Sequence, residues 1–109
     1  MTAEEVEYLV RSQIPENFTA KNDHSITLQE ALIRPRRIFV IARAIGDRRL
    51  KDEEVEVWLV GEEKPINGYK IVMRDDGLQF GLASPGFPED RYPILCGWYG
   101  SLISTFLGM

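Results

Sequence analysis

The sequence is poor in the residues that carry out chemistry. It holds one cysteine, Cys96, and one histidine, His24. A lone cysteine excludes an internal disulfide and points to a reducing compartment. One residue of each kind is also too few for a closed transition-metal site, which recruits several thiolates or imidazoles. Long hydrophobic runs are missing as well, since no segment approaches the roughly 20 apolar residues of a membrane span. The N-terminal stretch carries Glu4, Glu5, Glu7 and Glu16 and lacks the basic start and continuous apolar run of a secretory signal. A cytoplasmic location is the expectation. Basic charge is the scarcer sign, 13 Lys and Arg against 17 Asp and Glu for a net −4. That balance disfavours non-specific nucleic-acid binding and would be complemented by a basic protein partner.

What is present is an ordinary globular composition, 44% hydrophobic and 28% charged over 109 residues. The length suits a single domain over 1–109 with one core. The clearest local pattern is a β-hairpin from Tyr69 to Ala83, because Asp76-Gly77 is a turn pair between alternating flanks. A loop of those two residues sets Asp75 opposite Leu78, Met73 opposite Phe80 and Ile71 opposite Leu82. Tyr69, Ile71, Met73, Leu78, Phe80 and Leu82 then share one face. Lys70, Val72, Arg74, Gln79 and Gly81 share the other. A slip of one residue would mix the faces, so the pattern sets the register.

Two capping boxes mark helix starts, Thr2-Ala3-Glu4-Glu5 and Thr27-Leu28-Gln29-Glu30. The first opens a helix over roughly 3–13 with Val6, Leu9 and Val10 on its apolar side, limited by Pro15. The second opens a short helix ended before Pro35, and 16–25 between them reads as a loop. Ile38–Ile45 is β-branched and apolar, as in a strand covered on both sides. Glu54–Val60 alternates, with Val55, Val57 and Leu59 assigned to the core face and Trp58 and Val60 to the outer face. With the hairpin these runs make a four-stranded antiparallel meander. Tyr92–Cys96 is extended, and Trp98, Tyr99, Leu102, Ile103, Phe106 and Leu107 have helical spacing. An apolar C-terminal helix packed on the sheet is the expectation, with Ser101 as an alternative cap. The fold class is α+β.

No catalytic set converges. His24 with Asp23 would have to serve Cys96 from a distance that spacing does not support, and Cys96 beside Leu95 reads as a small hydrophobe. Asp47, Asp52, Glu53, Glu54 and Glu56 do not match the spaced oxygen ligands of a calcium loop. Asp75-Asp76 is accounted for by the turn, and Gly97-Trp98-Tyr99-Gly100-Ser101 lacks a phosphate-cradling signature. Arg34, Arg36 and Arg37, with Arg43, Arg48 and Arg49, concentrate basic charge, but at a strand entry and a turn within an acidic protein, so nucleic acid is not the expected partner. No metal and no cofactor is expected.

Two surfaces remain for a protein partner. One is the outer sheet face, with Trp58, Val72, Lys70 and Arg74; the local alternative is that Trp58 simply covers Gly81 and Val72. The other is the 84–92 loop, with Phe87, Arg91 and Tyr92. In outline the chain resembles the small α+β domains found among bacterial immunity and accessory proteins, an analogy of fold. The missing catalytic set and the aromatic residues on both surfaces point to binding. A non-enzymatic protein-interaction domain is therefore the leading expectation. A small-ligand or enzymatic pocket between the sheet and the C-terminal helix is the alternative, and a free sheet edge would offer a route to a homodimer.

Overall fold

The computed structural model describes residues 1–43, 52–63, 68–86, 88 and 90–109. Helix α1 (Ala3–Ser12) and the single-turn α2 (Leu28–Ala31) precede strands β1 (Leu32–Ala42), β2 (Glu53–Glu62), β3 (Lys70–Met73), β4 (Phe80–Ser84) and β5 (Ile94–Gly100), and α3 (Leu102–Leu107) follows. Both capping boxes form: the amides of Glu5 and Glu30 donate to the Thr2 and Thr27 hydroxyls, and each glutamate accepts in return from its threonine's amide. The molecule is α+β, but its sheet is a closed five-stranded barrel rather than a four-stranded meander.

Parity sets the sense in which the barrel closes. Successive strands β1 to β5 pair antiparallel, so after an odd number of them the first and last run the same way. They meet as a parallel pair at Ile41 and Ile94, where the Ile41 amide donates to the Pro93 carbonyl at 2.8 Å. β1 is long enough to pair with β2 and still reach β5. Pro35, which cannot donate to a ladder, sits buried where the β1–β2 register shifts between Leu32 and Arg36.

The fifth strand was hidden by its own irregularity. The β4–β5 ladder shifts between Phe80 and Gly81 and again between Leu82 and Ala83, which breaks the two-residue alternation. The expected helix from Trp98 therefore gives way to a strand through Gly100, and α3 begins only after Ser101, whose hydroxyl accepts from the Ser104 amide. The β3–β4 hairpin keeps its expected register, with Met73 opposite Phe80 and Ile71 opposite Leu82. Its loop is wider than two residues: the Gly77 amide donates to the Arg74 carbonyl, Gly77 has φ 75°, and the Arg74 amide donates to Gln79. Leu78 consequently leaves the core and is 74% exposed.

The barrel buries both faces of its sheet. Outside, Trp58, Val60, Ile71, Met73, Phe80 and Leu82 pack under the helices with Val6, Val10, Leu28, Leu102 and Phe106. Inside, Val40, Val57, Leu59, Val72 and Ala83 form the lumen, backed by Ile38, Leu95 and Trp98. The face assignment of β2 is thereby reversed: Trp58 lies opposite Met73, and Leu59 opposite Val72. A strand buried on both sides carries no mark of which face is inward. The turn expected at 46–53 falls largely on residues outside the described ones, as does Phe87.

The 16–25 segment has structure of its own. The buried Asn22 accepts at its side-chain oxygen from the amides of His24 and Ile26, and Lys21 bridges to Thr27. Among the described residues no helix is long and apolar enough to cross a membrane.

Candidate functional site

Around the one β1–β5 bridge among the described residues the barrel wall is thinly paired, and next to it the lumen opens to solvent. Register decides which side chains reach the opening. Arg36 and Ile38 lie opposite Leu59 and Val57 and so share the inward side of β1. Lys70 begins β3 opposite Ala83, also inward. Tyr92 and Pro93, just before β5, form the remaining wall. The result is a cavity of about 340 Å³ lined by Arg36, Ile38, Phe39, Leu59, Lys70, Tyr92 and Pro93. Leu59 is 1% exposed and forms floor, whereas Phe39 is 39% exposed and forms rim.

Specific contacts hold this mouth in shape. The Phe39 and Tyr92 rings face each other across the seam with centroids 5.5 Å apart and planes tilted by 38°. Arg43 anchors the Tyr92 segment by donating to Asp90 at 2.6 Å, and it reaches Asp52 at 3.3 Å. Its guanidinium is held above its usual pKa, chiefly by the Asp90 hydrogen bond. Lys70 is half-buried and paired with Glu62 at 3.1 Å. Arg91 lies over the Tyr92 ring, 5.2 Å from its centroid. Apolar walls, two partly accessible rings and cations at the rim make the arrangement suited to binding rather than to proton transfer.

The residues singled out from sequence separate into groups. Lys70, Arg91 and Tyr92 come together at the mouth. Val72 lies just beneath it in the lumen, fully buried opposite Gly81. Trp58 does not join them. It is 5% exposed, faces the helices and is covered by Arg37 at 4.8 Å. Its indole nitrogen has no hydrogen-bond partner among the described residues. The cover that sequence reasoning gave to Trp58 is supplied by Trp98, whose ring leaves no room for a side chain at Gly81. Arg74 is occupied at the hairpin turn, where its Nε donates to Asp76 at 2.9 Å. The sequence reading missed Arg36, Phe39, Leu59 and Pro93, because only closure of the barrel brings β1 beside Pro93.

Two other cavities are less suited. One of about 450 Å³ beside α1 is lined by Glu7, Arg11 and Arg34 among others, but Arg11 is paired with Glu7 and Arg34 with Glu4. Another, of about 310 Å³, is lined by His24, Glu63, Gly68, Tyr69, Ser84 and Pro85. There the His24 Nδ1 lies 2.7 Å from Glu63 and the imidazole stacks on Tyr69. His24 is thus engaged with Glu63 and not with Cys96, whose thiol contacts the Ile94 carbonyl on the exposed side of β5. Among the described residues no three His, Cys, Asp or Glu side chains gather as a metal site.

The chain matches no protein-family model, no curated protein and no solved structure. The functional reading therefore rests on the site itself.

Proposed function

We propose that this chain is a non-enzymatic, cytoplasmic binding domain that holds a protein partner at the mouth of its barrel, with the 84–92 segment as one lip. The observation that carries the reading is the apolar cavity of about 340 Å³ flanked by the facing rings of Phe39 and Tyr92. Aromatic side chains around an apolar depression are the common anchors of protein recognition. The mouth is favoured over the other surface read from the sequence because that set is divided, with Trp58 under the helices and Val72 in the lumen.

The test is a photo-crosslinking amino acid placed at Phe39 in the native cell, with Tyr8 on exposed α1 as the control position. A discrete adduct from position 39 and none from position 8 is the expected result. Absence of an adduct at 39, or the same adducts from both positions, would sink the reading.

A small-ligand reading is favoured by one quantity, because about 340 Å³ lies within the range of roughly 300–1,000 Å³ usual for small-molecule sites. It belongs at this mouth rather than between sheet and α3, where Leu102 and Phe106 are fully buried.

A further inference from the structure

Seven of the nine arginines lie among the described residues. Five of them meet carboxylates of the chain itself. Arg11 pairs with Glu7, Arg34 with Glu4, Arg37 with Glu56 and Asp75, Arg43 with Asp52 and Asp90, and Arg74 with Asp76. In a chain with 17 acidic groups against 13 basic ones, such pairing is the default. The two that lack a carboxylate among the described residues are Arg36 and Arg91. Arg36 lines the mouth, and Arg91 lies on the ring of Tyr92, which lines it too. Among the described residues, the arginines of this acidic protein that no carboxylate meets thus sit beside its open apolar cavity.

We infer that the partner presents an acidic peptide segment to this mouth. One apolar side chain seats against the paired Phe39 and Tyr92 rings, over Ile38 and Leu59, and flanking carboxylates meet Arg36 and Arg91. The inference rests on the reading of the mouth as the partner site and adds its chemistry. A guanidinium offers a planar fork of donors that matches a carboxylate with two hydrogen bonds, and it is more weakly hydrated than an ammonium. Lys70 is not recruited, because Glu62 already holds it at 3.1 Å. A basic segment would bring its charge against Arg36 and Arg91, while the nearby carboxylates Glu56, Glu62 and Asp90 are already engaged by Arg37, Lys70 and Arg43. The local field therefore reverses the preference that the overall charge of −4 suggests.

The test titrates the isotopically labelled protein with three short peptides, each having a central phenylalanine flanked on both sides by glutamates, glutamines or lysines. The expected result is that the glutamate peptide shifts the amides of Ile38, Phe39, Leu59 and Tyr92 and binds about tenfold tighter than the glutamine peptide. Arg36→Gln, an exposed position checked by unchanged shifts elsewhere, removes about that tenfold. The double variant Arg36→Glu, Arg91→Glu should prefer the lysine peptide. If the glutamine peptide binds the mouth as tightly as the glutamate one, the acidic-segment inference is overturned while the mouth remains the partner site. If no peptide shifts these amides, both are overturned. Saturation of the same amides by phenylacetate as tightly as by the glutamate peptide would make the mouth a small-ligand pocket and overturn the peptide inference.

Discussion

The two faces of the sheet are built from one set of strands and differ in what they do with burial. The outer face meets three helices and fills the gap with long side chains, among them Phe80, Phe106, Leu102 and Met73, each fully buried. The inner face is narrow and uses mainly valine, with Val40, Val57 and Val72 fully buried. A five-stranded barrel has room for little more. The outer core is closed on all sides by α1, α2 and α3. The inner core is stoppered by Trp98 over Gly81 but stays open around Lys70, Phe39 and Tyr92. One face has spent its apolar surface on stability, and the other keeps part of it accessible.

The comparison breaks first, and by the largest margin, at Phe106. Its ring is fully buried and meets Phe18 edge-on at 6.3 Å. Phe106→Ala should cost about 3–5 kcal/mol in urea unfolding, from lost transfer energy and the cavity left behind. The same truncation at the rim, Phe39→Ala, should stay within about 0.5 kcal/mol. Equal costs at both positions would show that the mouth is part of the stabilising core.

Inside the barrel the expected effect is of middle size. A methyl group at Gly81 would lie 2.4 Å from the Gly97 carbonyl oxygen and 2.7 Å from the Trp98 ring. The first neighbour is backbone and cannot swing aside, so Gly81→Ala should cost about 1–3 kcal/mol by overpacking. On the facing strand, a methyl group at Gly97 would meet only Tyr99 at 3.7 Å, an ordinary contact. Gly97→Ala should therefore unfold at nearly the wild-type urea concentration. Comparable losses at 81 and 97 would mean that close approach of β4 and β5 is not what demands glycine.

At the mouth stability and function should come apart. Phe39→Ala is expected to leave the urea midpoint nearly unchanged and to weaken binding of the glutamate-flanked phenylalanine peptide at least tenfold, as truncation of a central aromatic anchor does. A variant that binds normally would remove Phe39 from the site and leave the inner core merely unfinished.

How much of this was legible depended on whether the signal was local. The capping boxes at Thr2 and Thr27 and the Ile71–Leu82 register are set by residues close in sequence, and they were readable. Of the fifth strand only its start was, within the extended Tyr92–Cys96, because two register shifts against β4 broke its alternation and left Trp98, Tyr99 and Leu102 at helix-like intervals. The direction in which Trp58 faces was not readable either, since Val57 to Gly61 are buried in succession and both faces of β2 are covered there. The mouth required β1 to meet Pro93 across more than fifty residues, and no short-range pattern encodes that meeting. Lys70, Arg91 and Tyr92 were found as members of two separate surfaces. Barrel closure is what makes them one.

The smallest effect lies at the hairpin turn, where charge rather than packing is at stake. Asp76 accepts from the Arg74 guanidinium and from the Leu78 amide at 2.9 Å, and these bonds hold its pKa below the usual carboxylate value, the Arg74 bond most of all. A carboxylate depressed in the folded state binds its proton more readily when unfolded. Its contribution is complete above the unfolded value, about 3.9, and fades as pH falls through the lower folded value. Asp76→Asn keeps an oxygen for the Leu78 amide and loses the charge facing Arg74. The gap in urea midpoint between wild type and this variant should accordingly be constant from pH 7 to about pH 5 and shrink below about pH 4. The side chain is exposed, so the gap itself should be small beside that of Phe106→Ala. A gap that persists undiminished at pH 2 would show that the turn is held by geometry at Gly77 and not by the Asp76 charge, leaving the two apolar faces as the sole determinants of stability in this hairpin.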